Sequence, residues 1–176
     1  MFGRMFTNES AFTNTYAARR EGEIAFSSKF PGSIRAVEIT PGKGIIVQKG
    51  SYLAHYGNVG SEVYIQQKLG RGLFGGFLMR KFTGNGIVFL EIDGSAHEYE
   101  IPAGDCKIVD TGYVAAMSES CRMEVKTIKG VGNVLFGGEG LFNTVVYGPG
   151  TVILQSMPIA STAMQLYQYM PHPSNN

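Results

Sequence analysis

The chain of 176 residues sets 15 lysines and arginines against 14 aspartates and glutamates, a net charge of +1, and only 16% of its residues are charged while 24 are glycine. That balance excludes a surface built for sequence-blind attraction to nucleic acid or anionic lipid, and a glycine share about twice the usual one calls for many tight turns. No apolar run approaches the roughly 18 residues of a transmembrane helix, and two cysteines outside any CxxC spacing exclude a disulfide framework or a zinc ribbon, which leaves one domain with its own core in a reducing compartment.

The opening MFGRMFTNESAF has no cationic flank followed by an apolar stretch, so it does not read as a signal peptide, and the expected compartment is the cytoplasm. At Gly22 a glycine leads into a β-rich run, GEIAF, and the pattern returns as GIVFL from Gly86 and GTVIL from Gly150. Short segments rich in Val, Ile, Tyr, Phe and Thr fill the chain between them. Some alternate, as in Glu62, Val63, Tyr64, Ile65 and Gln66, the period of a strand with one wet face. Pro31 and Gly32, Pro41 and Gly42, Thr83 to Gly86, and Gly148 to Gly150 supply turn backbones at a spacing that suits a sandwich or barrel. Only Ala160 to Met170 has a helical face, formed by Ala160, Ala163, Met164, Tyr167 and Met170. It predicts a short helix that caps the β core or contacts another subunit. Pro171 to Asn176 reads as a disordered tail.

A period of 62 residues organises these elements. Leu73, Phe74, Gly75 and Gly76 return as Leu135, Phe136, Gly137 and Gly138, and the same offset carries Ile39, Pro41, Gly42 and Val47 onto Ile101, Ala103, Gly104 and Val109. A gap of one residue brings Tyr52 and Ala54 onto Tyr113 and Ala115. Phe6, Glu9 and Phe12 match Phe136, Glu139 and Phe142, so the chain opens partway through a repeat. The expected organisation is a single all-β domain over 1–170 of about three pseudo-repeats, at 1–54 (truncated), 55–115 and 116–160, followed by the tail.

No motif assembles a reaction centre. Gly70, Gly72 and Gly75 spell GxGxxG with Glu91 some 20 residues on, but a dinucleotide loop must open a helix, and here another strand follows a glycine turn. His55, His97 and His172 share no ligand spacing, so a cluster with Cys106 or Asp110 could come only through the fold, and Ser51, Ser118 and Ser120 lie in no nucleophile elbow. Gly75, Gly76, Gly137 and Gly138 are read as structural turn positions. Glu139, between glycines, and Asp110, in VDTG, are read as carboxylates that bond turn amides. Arg19 and Arg20, Arg71, Arg80 and Lys81, and Lys126 and Lys129 are scattered, which disfavours a nucleic-acid face. No catalytic, cofactor or metal residue is assigned, and the chain is expected not to be an enzyme.

Four blocks in order, KFPGSIRAVEI (29–39), QKGSYLAH (48–55), IVDTGYVAAM (108–117) and LFGGEGLFNTVVYGPGTVILQS (135–156), resemble the bacterial relatives of the altered-inheritance-of-mitochondria family. The resemblance implies an all-β, internally repeated barrel or sandwich, a double-stranded β-helix similar to the tryptophan RNA-binding attenuation protein, with a short C-terminal helix and assembly as a homotrimer. It brings no catalytic residues. The yeast member's association with the mitochondrial inner membrane implies a protein or membrane-associated partner. The chain departs from the family pattern by lacking the strands that would precede Met1. The expected function is a non-enzymatic homo-oligomeric β scaffold or binding module without a cofactor; an RNA-binding oligomer and an enzyme with a pocket formed by the repeats are the alternatives.

Overall fold

Runs of β-branched and aromatic residues separated by turn glycines form ten strands in the computed structural model, which describes residues 14–64, 78–127 and 142–171. They are β1 (Gly32–Ile39), β2 (Ile45–Gln48), β3 (Tyr52–Tyr64), β4 (Met79–Asp93), β5 (Ala96–Ile101), β6 (Cys106–Asp110), β7 (Val114–Ser118), β8 (Arg122–Thr127), β9 (Phe142–Tyr147) and β10 (Gly150–Gln155). One helix, α1 (Ile159–Tyr167), follows, and short 3-10 turns occupy Lys49–Ser51 and Thr111–Tyr113. The fold is all-β with a short C-terminal helix, a curled antiparallel half-barrel.

One sheet runs β1-β4-β2-β7-β10-β5 with β3 also on β4, and a second runs β6-β9-β8. The 15-residue β4 is a spine. Along one edge it holds β3, and along the other it holds β2 against Met79–Phe82 and β1 against Gly86–Asp93. In the second half of the chain β9 and β10 do the same work: β9 carries β6 and β8, and β10 carries β5 and β7.

The turn from β1 to β2 closes through the Lys43 amide, which donates to the Thr40 carbonyl at 2.9 Å, and the turn from β5 to β6 closes through the Asp105 amide on Pro102 at 3.2 Å. Each contains a glycine of positive φ, +80° at Gly42 and +85° at Gly104, a conformation that costs a side-chain-bearing residue about 1 kcal/mol or more. At the crossing of β3 and β4, Gly84 (φ +123°) lies so close that a Cβ would run into the Asn58 carbonyl oxygen.

Two apolar clusters form the core. Ile39, Ile45, Val47, Phe82, Val88 and Leu90 belong to one; Ile46, Met79, Ile101, Val114, Met117 and Val152 belong to the other. Strand β2 sends alternate side chains into both, and Val114 to Met117 of β7 are wholly buried. This pair of strands therefore reads as a continuous apolar run instead of an alternating one. Each buried Val, Ile, Leu, Met or Phe among them contributes on the order of 1.5–3 kcal/mol.

Three expectations change. The run GEIAF (22–26) is not a strand: it is exposed and outside both sheets, with no described strand paired to its backbone. Helix α1 does not cap the core, since none of its residues is buried. It is held at its start, where the Ile159 amide donates to Asp93 Oδ2 at 2.9 Å and places a carboxylate on the positive end of the helix. It also ends at Tyr167, with turn geometry continuing to Met170. Gly75, Gly76, Gly137, Gly138 and Glu139, together with Ile65, Gln66 and residues 172–176, lie outside the described residues.

Phe82 is buried in the first cluster and stacks on Tyr52 with ring centroids 5.0 Å apart. Phe82→Ala is expected to lower unfolding stability by about 3–5 kcal/mol in a urea titration, against well under about 1 kcal/mol for Ile34→Ala on the exposed face of β1.

Candidate functional site

Two features among the described residues are open to a ligand or partner: a groove on the first sheet, and strand edges that no other described strand covers. The groove, about 510 Å³, lies where β1, β3 and β4 meet. At Gly57 and Gly86 a Cβ would run into the backbone of the facing strand, at Asn85 and Tyr56, so these glycines let β3 and β4 approach closely along its wall. Glu38, Tyr56, Asn58 and Asn85 give it one carboxylate, a phenol and two amides. These groups can hydrogen-bond a polar ligand, but they include no nucleophile paired with a base.

The residues weighed in the sequence are dispersed. His55 is exposed on β3 and takes part in a 2.8 Å hydrogen bond between its Nδ1 and the Tyr52 hydroxyl; His97 is exposed on β5. Ser51 is buried, Ser120 is exposed, and Ser118 Oγ accepts from the Thr151 amide at 3.0 Å, a backbone role. Asp110 precedes a 3-10 turn and accepts from the Gly112 amide at 3.1 Å, which satisfies a donor that the turn leaves without a partner. No three of His, Cys, Asp and Glu stand together as metal ligands among the described residues.

Several basic residues are engaged within the chain, while Arg19, Arg20 and Lys126 are exposed. Arg80 donates to Ser61 Oγ at 2.6 Å and lies over the Tyr52 and Phe82 rings; Lys81 pairs with Glu119 at 3.5 Å; Arg122 pairs with Glu124 at 2.7 Å and covers Tyr147. Lys107 sits 4.5 Å over the Tyr99 ring. Arg71 and Lys129 lie outside the described residues. Burial pushes the Tyr64 phenol above its ordinary value, against a smaller lowering by Lys81 and Arg122.

Sequence reasoning missed two buried polar residues. Glu91 accepts from the Lys29 amide at 3.1 Å and pairs with the Lys29 ammonium at 3.6 Å. Gln155 accepts from the Asp93 amide at 3.3 Å while its own amide donates to Gln48 Oε1 at 3.2 Å and to the Gly112 carbonyl at 3.1 Å. A signal was present, since each directly follows a matched run, GIVFL or GTVIL.

The strands, turns and helix together define an all-β chain of the curled, antiparallel half-barrel class. The family model described as mitochondrial biogenesis AIM24 matches residues 1–157, and the chain belongs to that family. It is similar to the crystal structure of protein SPYM3_0169 from Streptococcus pyogenes, with 23% identity and a TM-score of 0.69 over 82% of this chain, and it spans 63% of that protein's length. That likeness shows the fold. No curated protein matches the chain.

Cys106 is exposed, whereas Cys121 is buried with Sγ 3.7 Å from the Pro149 carbonyl. Burial pushes the Cys121 thiol up, opposed by a backbone hydrogen bond at Ser118. An aromatic disulfide reagent is therefore expected to titrate Cys106 within minutes and Cys121 only after denaturation; rapid reaction of both in the folded protein would contradict this burial.

Proposed function

We propose that the chain is a non-enzymatic scaffold made of repeated four-stranded β units, that it works by assembling with copies of itself, and that the assembly presents a surface to a protein or membrane-associated partner. The observation that carries this reading is a correspondence of strand registers. Moving the first three strands by 62 residues and β4 by 64 turns each strand pairing of the first half into a strand pairing of the second, with most of the residue pairs. Ile39 opposite Gly86 becomes Ile101 opposite Gly150. Gln48 opposite Met79 becomes Asp110 opposite Asn143, and Tyr64 opposite Met79 becomes Lys126 opposite Asn143.

Irregularities correspond too. The register slips between Tyr52 and Ala54 on β3 and between Ile153 and Leu154 on the β7–β10 pair, and Leu90 opposite Tyr52 becomes Leu154 opposite Val114. These pairings support an ungapped offset of 62 for β3, which sets His55 against Met117 and supports drawing units at 32–93 and 94–157. The 3-10 turns at Lys49–Ser51 and Thr111–Tyr113 and the glycines at 42 and 104 share the offset. A third instance lies upstream, because the Lys29 amide on Glu91 stands 64 residues before the Asp93 amide on Gln155. This contact supports reading Lys29 as the equivalent of Asp93 at the end of a further unit.

A repeated β unit with uncovered edges and an apolar, unburied helix exposes surface that self-assembly would cover. An RNA-binding reading has less support, since Arg80, Lys81 and Arg122 are already paired within the chain. Light scattering on the eluting peak of a sizing column, at micromolar concentration, is expected to give a multiple of 19.1 kDa, three being the number the family resemblance implies. A stable 19.1 kDa species would overturn the assembly reading.

A further inference from the structure

The two units are not paired alike, and the difference is a single junction. Inside the chain β2 of the first unit meets β7 of the second, with Ile45 opposite Ser118, Ile46 opposite Met117 and Val47 opposite Ala116. The counterpart of β2 is β6 and the counterpart of β7 is the first half of β3. Among the described strands β6 pairs only with β9, and β3 only with β4. The outer edges of β1, β5 and β8 and of the second half of β3 meet no other described strand in either unit, so they mark no difference. Subtracting one unit from the other leaves the β6 edge and the Ala54–Tyr56 edge, which are the two sides of one unmade pairing.

We infer that a second copy of the chain completes this junction head to tail, its Ala54–Tyr56 edge laid antiparallel on the β6 edge of the first. The internal junction dictates the register. Ile108 stands opposite the partner copy's residue 55, Val109 opposite its residue 54 and Lys107 opposite its residue 56. The side chains agree with a surface made to be covered: Ile46 is 1% exposed inside the chain, while its counterpart Ile108 is 67% exposed, and Tyr56 on the facing edge is 74% exposed. Of the three β6 residues at this junction Ile108 and Val109 are apolar, and the ammonium of the third, Lys107, lies 4.5 Å over the Tyr99 ring. The contact is heterologous: the surface that gives differs from the one that receives, so copies close into a ring or continue as a chain.

This inference rests on the self-assembly reading, and the experiment separates the two. His55→Cys and Ile108→Cys are made singly in a Cys106→Ser background, each checked for native circular dichroism and for mass by light scattering. The two are then mixed and treated with a short bis-maleimide. The expected result is a covalent dimer from the mixture and none from either variant alone, with a ladder of multiples from the double variant. In parallel, Ile108→Lys is expected to raise the concentration at half-assembly at least about tenfold, while Ile34→Lys on β1 leaves it unchanged. A wild-type monomer would overturn both readings. An assembled protein that gives no mixed dimer, or dimers from one variant alone, would overturn the head-to-tail junction and leave self-assembly standing. A β6 edge protected from amide exchange in a monomer would show it filled from within the chain and would also overturn the inference.

Discussion

The pairing of β2 with β7 is the contact on which the rest of the structure depends. Strand β2 is only four residues long, yet Ile45 and Val47 enter one apolar cluster and Ile46 enters the other, so a single short strand belongs to both halves of the core. A slip of one residue would exchange those faces and bring Gln48 into the core. On one edge β2 meets β4, and on the other β7, buried through Val114 to Met117, is a partner with no wet face.

Beneath this seam the polar groups are matched as closely as the apolar ones. Gln155 is 4% exposed and bonds the end of β4, the end of β2 and the 3-10 turn before β7 through Asp93, Gln48 and Gly112. Its amide is satisfied on both the oxygen and nitrogen sides, and a buried amide side chain is tolerated only on that condition. The pin therefore fixes the distance between the two halves while the seam fixes their register. In the proposed scheme of repeated units, Glu91 and Lys29 make the corresponding contact one step upstream.

Much of this was legible in the residues. The all-β class, the turn glycines at 42 and 104 and the start of the helix follow from local chemistry, because alternation and positive φ are properties of a few neighbouring residues. The seam was not legible: strands buried on both faces lose their alternation, and IIVQ or VAAM alone does not say which strand it joins. GEIAF failed as a strand for a related reason. A β-rich run becomes a strand only beside an available edge, and that edge is a property of the tertiary structure. The helix face was legible, but its partner was not, since an apolar stripe on α1 is the same whether the core or another molecule covers it.

The family and the fold are shown, and within that fold one seam makes the two halves a single cooperative body. Native-state amide exchange tests it directly. The amides of β2 and β7 should exchange only through global unfolding, with the slowest amides of β4 and β10 sharing their opening free energy. If β5 to β10 opened at lower free energy while β1 to β4 stayed protected, the seam would not bind the halves together and the account would be contradicted.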